Sequence, residues 1–92
     1  DRGLSGKIAS NVSEKIDNIS KKNQVIAITH SPQVASKANK HWKIEKVIKN
    51  DEMTSEIFEL NDESRVNEIA SLISGAKITE TAKKVASDLL QN

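Results

Sequence analysis

The apolar positions of the chain change their spacing several times, and each change predicts a different element. Between Lys7 and about Lys21, large aliphatic residues recur at intervals of four, four and three residues, which is typical of one stripe of an amphipathic helix. The stripe consists of Ile8, Val12, Ile16 and Ile19. Ser5 is placed to cap this helix. We expect the helix to cover a sheet and to carry no chemistry.

A continuous apolar run follows this first helix. Val25 to Ile28 has no polar alternation, which favours a strand buried on both faces in a helix-covered parallel sheet. Pro32 disfavours helical angles at Ser31, so the strand is predicted to end there, and Ser31 then caps a short helix from Pro32 to Ala38. His30 therefore occupies the carboxyl end of the predicted strand, the edge at which open α/β sheets bind ligands.

The second half of the chain predicts a hairpin and two helices. Two strand-like runs, His41 to Lys49 and Met53 to Leu60, are joined by the polar turn Asn50-Asp51-Glu52 and favour an antiparallel hairpin. The residues expected to face inward on its first strand are Trp42, Ile44 and either Val47 or Ile48.

Both helices after the hairpin have caps in the sequence. Asn61 or Asp62 caps the first, which ends near Gly75, and Thr79 caps the second. Their apolar faces are Val66, Ile69, Ala70 and Ile73 in the first helix, and Ala82, Val85, Ala86, Leu89 and Leu90 in the second. The order of helix, buried strand, short helix, hairpin and two helices predicts an α/β fold.

The composition excludes only a few kinds of site and gives little information about function. Ninety-two residues allow one small domain or a piece of a larger one, and the opening DRGLSGK, which has no initiator methionine, leads us to expect a piece. A net charge of +1 gives no general attraction to nucleic acid or anionic membrane. The absence of cysteine excludes disulfides and thiolate metal sites and fits a reducing cytoplasm. No apolar run approaches the roughly 20 residues that span a bilayer.

Two stretches are candidates for chemistry. His30 stands between the hydroxyl residues Thr29 and Ser31, so its imidazole could bond a phosphate oxygen or orient a water, although a lone histidine is often only structural. The opening loop could present backbone N–H groups to an anion, although a plain helix entry is the commoner explanation of such a loop. Its candidate residues are Asp1, Gly3, Ser5 and Gly6. The phosphate-binding pattern GxxxxGK[ST] occurs nowhere in the chain.

The hairpin also carries a group of lysines, namely Lys40, Lys43, Lys46 and Lys49. They could contact a nucleic-acid backbone. However, they are mixed with Glu45 and do not share one face of a strand, so we favour an ordinary solvated surface. His41 has no carboxylates at metal-ligand spacing, and we assign it to the surface as well.

Three segments resemble one protein family in order along the chain. They are DRGLSGKIA at residues 1–9, VIAITHSPQVASKA at 25–38, and RVNEIASLISG with ITETAKKVASDLL between Arg65 and Leu90. Together they are similar to the C-terminal part of the RecN family, SMC-like members of the ABC ATPases, whose pattern includes ITHLPQVA and ExRxxEIAxxLGG. The chain departs from that pattern at Ser31, where leucine is usual, and at Ser74, where a glycine pair is usual.

The resemblance implies a fold and roles for particular residues. Residues 1–92 would form the last part of one P-loop ATPase head, with the Walker A, signature and Walker B motifs and the coiled coil before Asp1. His30 matches the switch histidine that contacts the nucleotide γ-phosphate. Asp1 matches the aspartate that closely follows the Walker B glutamate. Ser5 takes the place of the D-loop aspartate, so this loop would lie between two heads.

The same resemblance implies a function for the full-length protein. It would be a cytoplasmic, nucleoid-associated ATPase of DNA double-strand break repair and recombination, which uses ATP and Mg²⁺ and couples head dimerisation of two copies to binding of DNA ends. The 92-residue chain alone is expected to be inactive, because the phosphate loop and magnesium ligands are missing. It could self-associate through an open sheet edge. The alternative is a stand-alone nucleic-acid or protein interaction module that uses the lysine-bearing hairpin.

Overall fold

The computed structural model describes residues 6–91. Four helices and one two-stranded antiparallel sheet follow in the order α1, α2, β1, β2, α3, α4. Their bounds are Gly6–Ser20 for α1, Pro32–Ser36 for α2, Trp42–Lys49 for β1, Glu52–Glu59 for β2, Asp62–Ser74 for α3 and Glu80–Gln91 for α4. The structure confirms the prediction that the chain combines α-helices with β-strands.

The predicted caps that lie within the described residues account for where three helices begin. Ser31 caps α2 by accepting the Val34 N–H at 3.3 Å. Asn61 caps α3 in a reciprocal capping box with Ser64, in which each side chain accepts the other residue's backbone N–H, at 2.8 and 2.9 Å. Thr79 Oγ1 accepts the Ala82 N–H at 3.0 Å at the start of α4. Ser5, the predicted cap of α1, lies outside the described residues.

Helices α2, α3 and α4 enclose the main core. Its buried members are Ala35, Ile69, Ala70, Ala82 and Ala86. Four of these five are alanine, so the helix backbones can approach closely, and Ile69 is the one large side chain that they surround completely. We call this region the helical core. Val66, Leu72, Ile78, Leu89 and Leu90 pack around it and are partly buried.

The hairpin closes through a two-residue turn, one residue shorter than predicted. Asn50 and Asp51 both have positive φ, of 51° and 64°, as a type I′ turn requires, and asparagine and aspartate tolerate this conformation better than most residues. The turn fixes a register in which Ile44 faces Ile57 and Ile48 faces Met53. Because directly opposed residues lie on the same face of a sheet, these four side chains share one face, together with Trp42.

The prediction that Trp42, Ile44 and Ile48 face inward is wrong. Their face of the hairpin is open to solvent, and Ile48 keeps 72% of its surface exposed. Val47, the alternative to Ile48, lies on the opposite face and is half-buried. Among the described elements, β1 and β2 make close backbone contacts only with each other, so no helix is available to cover the apolar face.

The predicted buried strand from Val25 to Ile28 is also wrong for this chain. These residues form no strand, and Ile26 and Ile28 are 84% and 95% exposed. A strand buried on both faces needs hydrogen-bonded neighbours at its edges and helices above and below it. The hairpin strands pair with each other in the part of the chain that the structure describes, so the run has no strand to join.

The stripe predicted for α1 shows the same discrepancy. The helix packs against α2, and its buried residues are Ala9 and Ser13, whereas Ile8 and Ile19 are about half exposed. Within residues 6–91 there is no sheet beneath the stripe for α1 to cover. We use the name open apolar surfaces for three regions together: this stripe, the segment Val25–Ile28 and the apolar face of the hairpin.

Candidate functional site

Hydrogen bonds on both sides of His30 order the backbone around its side chain. The Ser31 N–H donates to Thr29 Oγ1 at 2.9 Å, which closes a small turn across His30. The Ser31 carbonyl accepts the Ala35 N–H at 2.9 Å, so the same residue is tied into the first turn of α2. Ser31 is buried, but His30 remains exposed. The structure thus presents the histidine at the surface on a defined turn.

The start of α1 lies beside this turn. A Cβ placed on Gly6 would lie 3.7 Å from Nε2 of Gln33, in the first turn of α2. Two stretches far apart in the sequence, the end of the opening loop and the residues after His30, are therefore neighbours. Of the predicted loop residues, Gly6 is exposed at the first position of α1, whereas Asp1, Gly3 and Ser5 lie outside the described residues.

Arg65 connects α3 to the far end of α2. Its Nη2 lies 3.0 Å from the Ala35 carbonyl, 3.2 Å from that of Ser36 and 2.6 Å from that of Ala38. The last carbonyls of a helix have no partner within the helix and carry its negative dipole end, so a guanidinium is well suited to satisfy them. Since Nη2 has only two hydrogens, at least one bond is shared between acceptors.

Reasoning from the sequence missed the role of Arg65, although it left a signal. The arginine lies near the amino end of α3, where the helix dipole disfavours a cation, so a compensating partner outside the helix was to be expected. It is also the arginine of the segment that resembles the family pattern ExRxxEIA. Neither signal identifies the three carbonyls, because they lie 27 to 30 residues away in sequence.

His41 is not the plain surface residue that we predicted. It is partly buried, and its Nδ1 and the Nε of Arg65 are buried without a hydrogen-bond partner. Burial lowers the pKa of His41 from its ordinary value of 6.5, and the positive charge of Arg65 lowers it further, against a smaller opposing effect of Glu68. The neutral imidazole is therefore favoured next to the arginine.

Two of the four hairpin lysines are paired with carboxylates. Lys43 Nζ lies 2.9 Å from Glu68 of α3 and 3.0 Å from Glu45, and the hydrogen bond to Glu68, then that to Glu45, raises the pKa of Lys43. Lys49 pairs with Glu56. A shallow groove of about 460 Å³ lies between α3 and the hairpin face that carries Lys43 and Glu45, and His30 does not line it. These contacts give the lysines a structural role and weaken the case for a nucleic-acid surface.

Residues 6–91 contain neither a metal-binding cluster nor a membrane-spanning helix. No group of three or more histidine, cysteine or acidic side chains is arranged to hold a metal ion among them. None of the described helices is both long and apolar enough to cross a membrane.

Comparison with known proteins identifies a class first. No family model matches the chain, but its curated relatives include DNA repair proteins from several bacteria. The chain is 43% identical over 98% of its length to DNA repair protein RecN of Halalkalibacterium halodurans, and 44% identical over 98% to that of Rickettsia bellii. It is 38% identical over 99% of its length to RecN of Bacillus subtilis.

The chain therefore corresponds to a segment of the RecN family, and the resemblance seen in its motifs is confirmed. It spans 16% of the length of each of these relatives. The similarity extends over the sequence of this segment alone. The roles of His30 and of the opening loop stay predictions.

Proposed function

We propose that this chain is the C-terminal part of a RecN-type ATPase head that acts in DNA double-strand break repair and recombination. In the full-length protein, ATP binding would draw two heads together and couple this association to DNA ends. The chain would contribute the switch histidine, His30, and the loop at residues 1–6, which faces the second head. We place the protein in the cytoplasm, at the nucleoid.

One observation carries the proposal beyond sequence similarity. The beginning of α1 and the beginning of α2 are adjacent, with Gly6 next to Gln33, so the last residue of the predicted opening loop lies close to the residues that follow His30. His30 is exposed on the ordered turn that directly precedes α2. A group that has to reach a ligand needs this combination of a fixed backbone and an accessible side chain.

The chemistry of His30 fits a phosphate contact. A ring N–H of the neutral imidazole can donate a hydrogen bond to a phosphate oxygen, and the imidazolium adds a favourable charge. Such a donor placed at the terminal phosphate distinguishes the triphosphate from the diphosphate, because the diphosphate offers no oxygen there. The exposed position of His30 leaves room for a nucleotide held by other parts of the protein.

The residues of this chain fit one edge of a nucleotide site. Mg²⁺, when bound with ATP, would neutralise charge that develops during phosphoryl transfer. The chain lacks a phosphate-binding loop, so we assign that loop and the magnesium ligands to other parts of a full-length protein. We accordingly propose that residues 1–92 alone do not hydrolyse ATP.

The open apolar surfaces support assignment to a larger head. An amphipathic helix, an apolar run and a hairpin face that all lack cover are expected where a central sheet has been separated from its other strands. The stand-alone hairpin module is the weaker candidate, since Lys43 and Lys49 are committed to carboxylates.

The test is His30→Ala in a full-length RecN that carries this segment. We expect slower ATP hydrolysis and weaker ATP-dependent association of heads, measured by phosphate release and by sedimentation with and without ATP. Asn39→Ala is the control, because it removes an exposed polar side chain beyond the other end of α2. Unchanged hydrolysis together with unchanged association in His30→Ala would disprove the proposal.

A further inference from the structure

Arg65 is placed to act on α2 rather than on the helical core. Its guanidinium leaves α3 and reaches three carbonyls, those of Ala35, Ser36 and Ala38, at the end of α2. The core residues of α3, by contrast, are Ile69 and Ala70, which pack against α2 and α4 through apolar contacts. The arginine is therefore a separate link between α3 and the end of the short helix.

A short helix depends on such a link. With five residues, α2 has too few internal hydrogen bonds to persist on its own, because helix nucleation is costly and every end group lacks a partner in the helix. Its first turn is held by Ser31. At its other end the Ala35 carbonyl accepts the Ala38 N–H at 3.3 Å, and Arg65 adds bonds to the carbonyls of Ala35 and Ser36. The buried residues Val34, Ala35 and Ser36 add packing but do not satisfy those carbonyls.

A series of hydrogen bonds leads from Arg65 to Ser31 and Thr29, the residues on either side of His30. Arg65 binds the carbonyl of Ala35, and the N–H of Ala35 donates to the carbonyl of Ser31. The N–H of Ser31 in turn donates to Thr29 Oγ1 and closes the turn around His30. Displacement of α2 would therefore move the backbone on which the histidine is mounted.

We propose that Arg65 is a positioning residue for His30: it holds α2 in place so that the imidazole is presented at a fixed point. The inference rests on the proposed function, since it takes His30 as the group that contacts the terminal phosphate. Arg65 itself touches no nucleotide in this scheme. Its loss lowers turnover through His30 and leaves the residues that bind the rest of the nucleotide untouched.

The test is a double-mutant cycle in full-length RecN that carries this segment. Arg65→Ala should lower kcat by about ten- to hundredfold, the size of loss that a displacement near 1 Å of a reacting group causes. Affinity for ATP, measured with a fluorescent ATP analogue at equilibrium, should stay unchanged. In a His30→Ala background, Arg65→Ala should cause no further loss of kcat, because two residues that act as one unit are not additive.

Two further variants separate positioning from general instability. Asn61→Ala removes the cap of α3 but leaves Arg65 in place, so it should lower the melting temperature while kcat at the assay temperature is retained. If Arg65→Ala cannot be obtained folded, the cycle is run with Arg65→Lys. Lysine keeps the charge but not the planar fork, so a smaller loss of kcat is expected that again vanishes in the His30→Ala background.

The outcomes distinguish this inference from the proposed function. If His30→Ala alone leaves hydrolysis unchanged, the proposed function fails and the inference fails with it. If His30→Ala slows hydrolysis but Arg65→Ala does not, only the inference is overturned. The same holds if the two losses multiply in the double variant, since Arg65 would then act independently of the histidine.

Discussion

The helical core and the open apolar surfaces use the same residue types with opposite results. Ile69 in the helical core is 0% exposed, whereas Ile28, also an isoleucine and in an even more apolar stretch, is 95% exposed. The difference lies in the partners available to each. Helices α3 and α4 are neighbours in sequence and pack directly, but a strand at Val25–Ile28 needs other strands that the described residues do not supply. Burial is therefore a property of the surroundings and not of the residue.

The largest expected effect tests this comparison with one substitution at two positions. Ile69→Ala should lower the free energy of unfolding by about 2–5 kcal/mol, through lost burial and the cavity that remains. Ile28→Ala should change it by no more than about 0.5 kcal/mol, because the side chain is already in water. Urea unfolding of the 92-residue chain, followed by circular dichroism, measures both. Equal losses at the two positions would contradict the contrast.

The context of Ile28 provides a second, sharper test. If the chain belongs to a larger head as proposed, strands from outside these residues surround the Val25–Ile28 segment there. Ile28→Ala should then cost about 2–5 kcal/mol in the full-length protein, the usual range for a buried isoleucine. Comparison of thermal unfolding of the full-length wild type and variant measures this. A loss as small as in the isolated chain would argue that the segment stays open.

A smaller effect is expected at the cap that begins the helical core. Asn61→Ala removes the two hydrogen bonds that the Asn61 side chain accepts from Ser64, one from its backbone N–H and one from its hydroxyl, and should cost about 1 kcal/mol. Asn39→Ala is the matched control, an exposed asparagine that caps no helix, and its effect should stay within about 0.5 kcal/mol. Urea unfolding of the wild type and both variants measures the three free energies of unfolding. A loss as large for Asn39 would show that the cap is not the cause.

The smallest effect concerns pH at the junction between α3 and the hairpin. The pKa of His41 is lowered in the folded chain, so the unfolded chain binds the proton more readily below its ordinary pKa of 6.5. The contribution of His41 to stability is therefore complete above pH 6.5 and is lost as the pH falls towards the lowered value. His41→Gln should remove this dependence. Urea unfolding at several pH values between neutral pH and about pH 5 gives the free energy of unfolding of wild type and variant at each pH. If this free energy falls with pH equally steeply in both, the prediction is refuted.

The candidate site could be predicted only in part. The capping role of Ser31 before Pro32 was predictable from a few adjacent residues, and so was the place of His30 just before a helix. The contact between Gly6 and Gln33 and the link from Arg65 to α2 join residues far apart in the chain. No local pattern encodes such pairs, because they exist only after α1, α2 and α3 have packed.

Features that depend on residues close in sequence could be predicted from the sequence, whereas features that depend on residues far apart in sequence were decided by the tertiary structure. The sequence by itself determined the caps Ser31 and Thr79, narrowed the cap of α3 to Asn61 or Asp62, and predicted the helices and the hairpin, because each depends on hydrogen bonds between residues close in sequence. Its motifs also determined the relation to RecN. Only the tertiary structure decided which apolar residues are covered and where the guanidinium of Arg65 binds. Both depend on surfaces brought together across the fold, and apolar periodicity predicts that a face seeks cover without saying whether a partner is present.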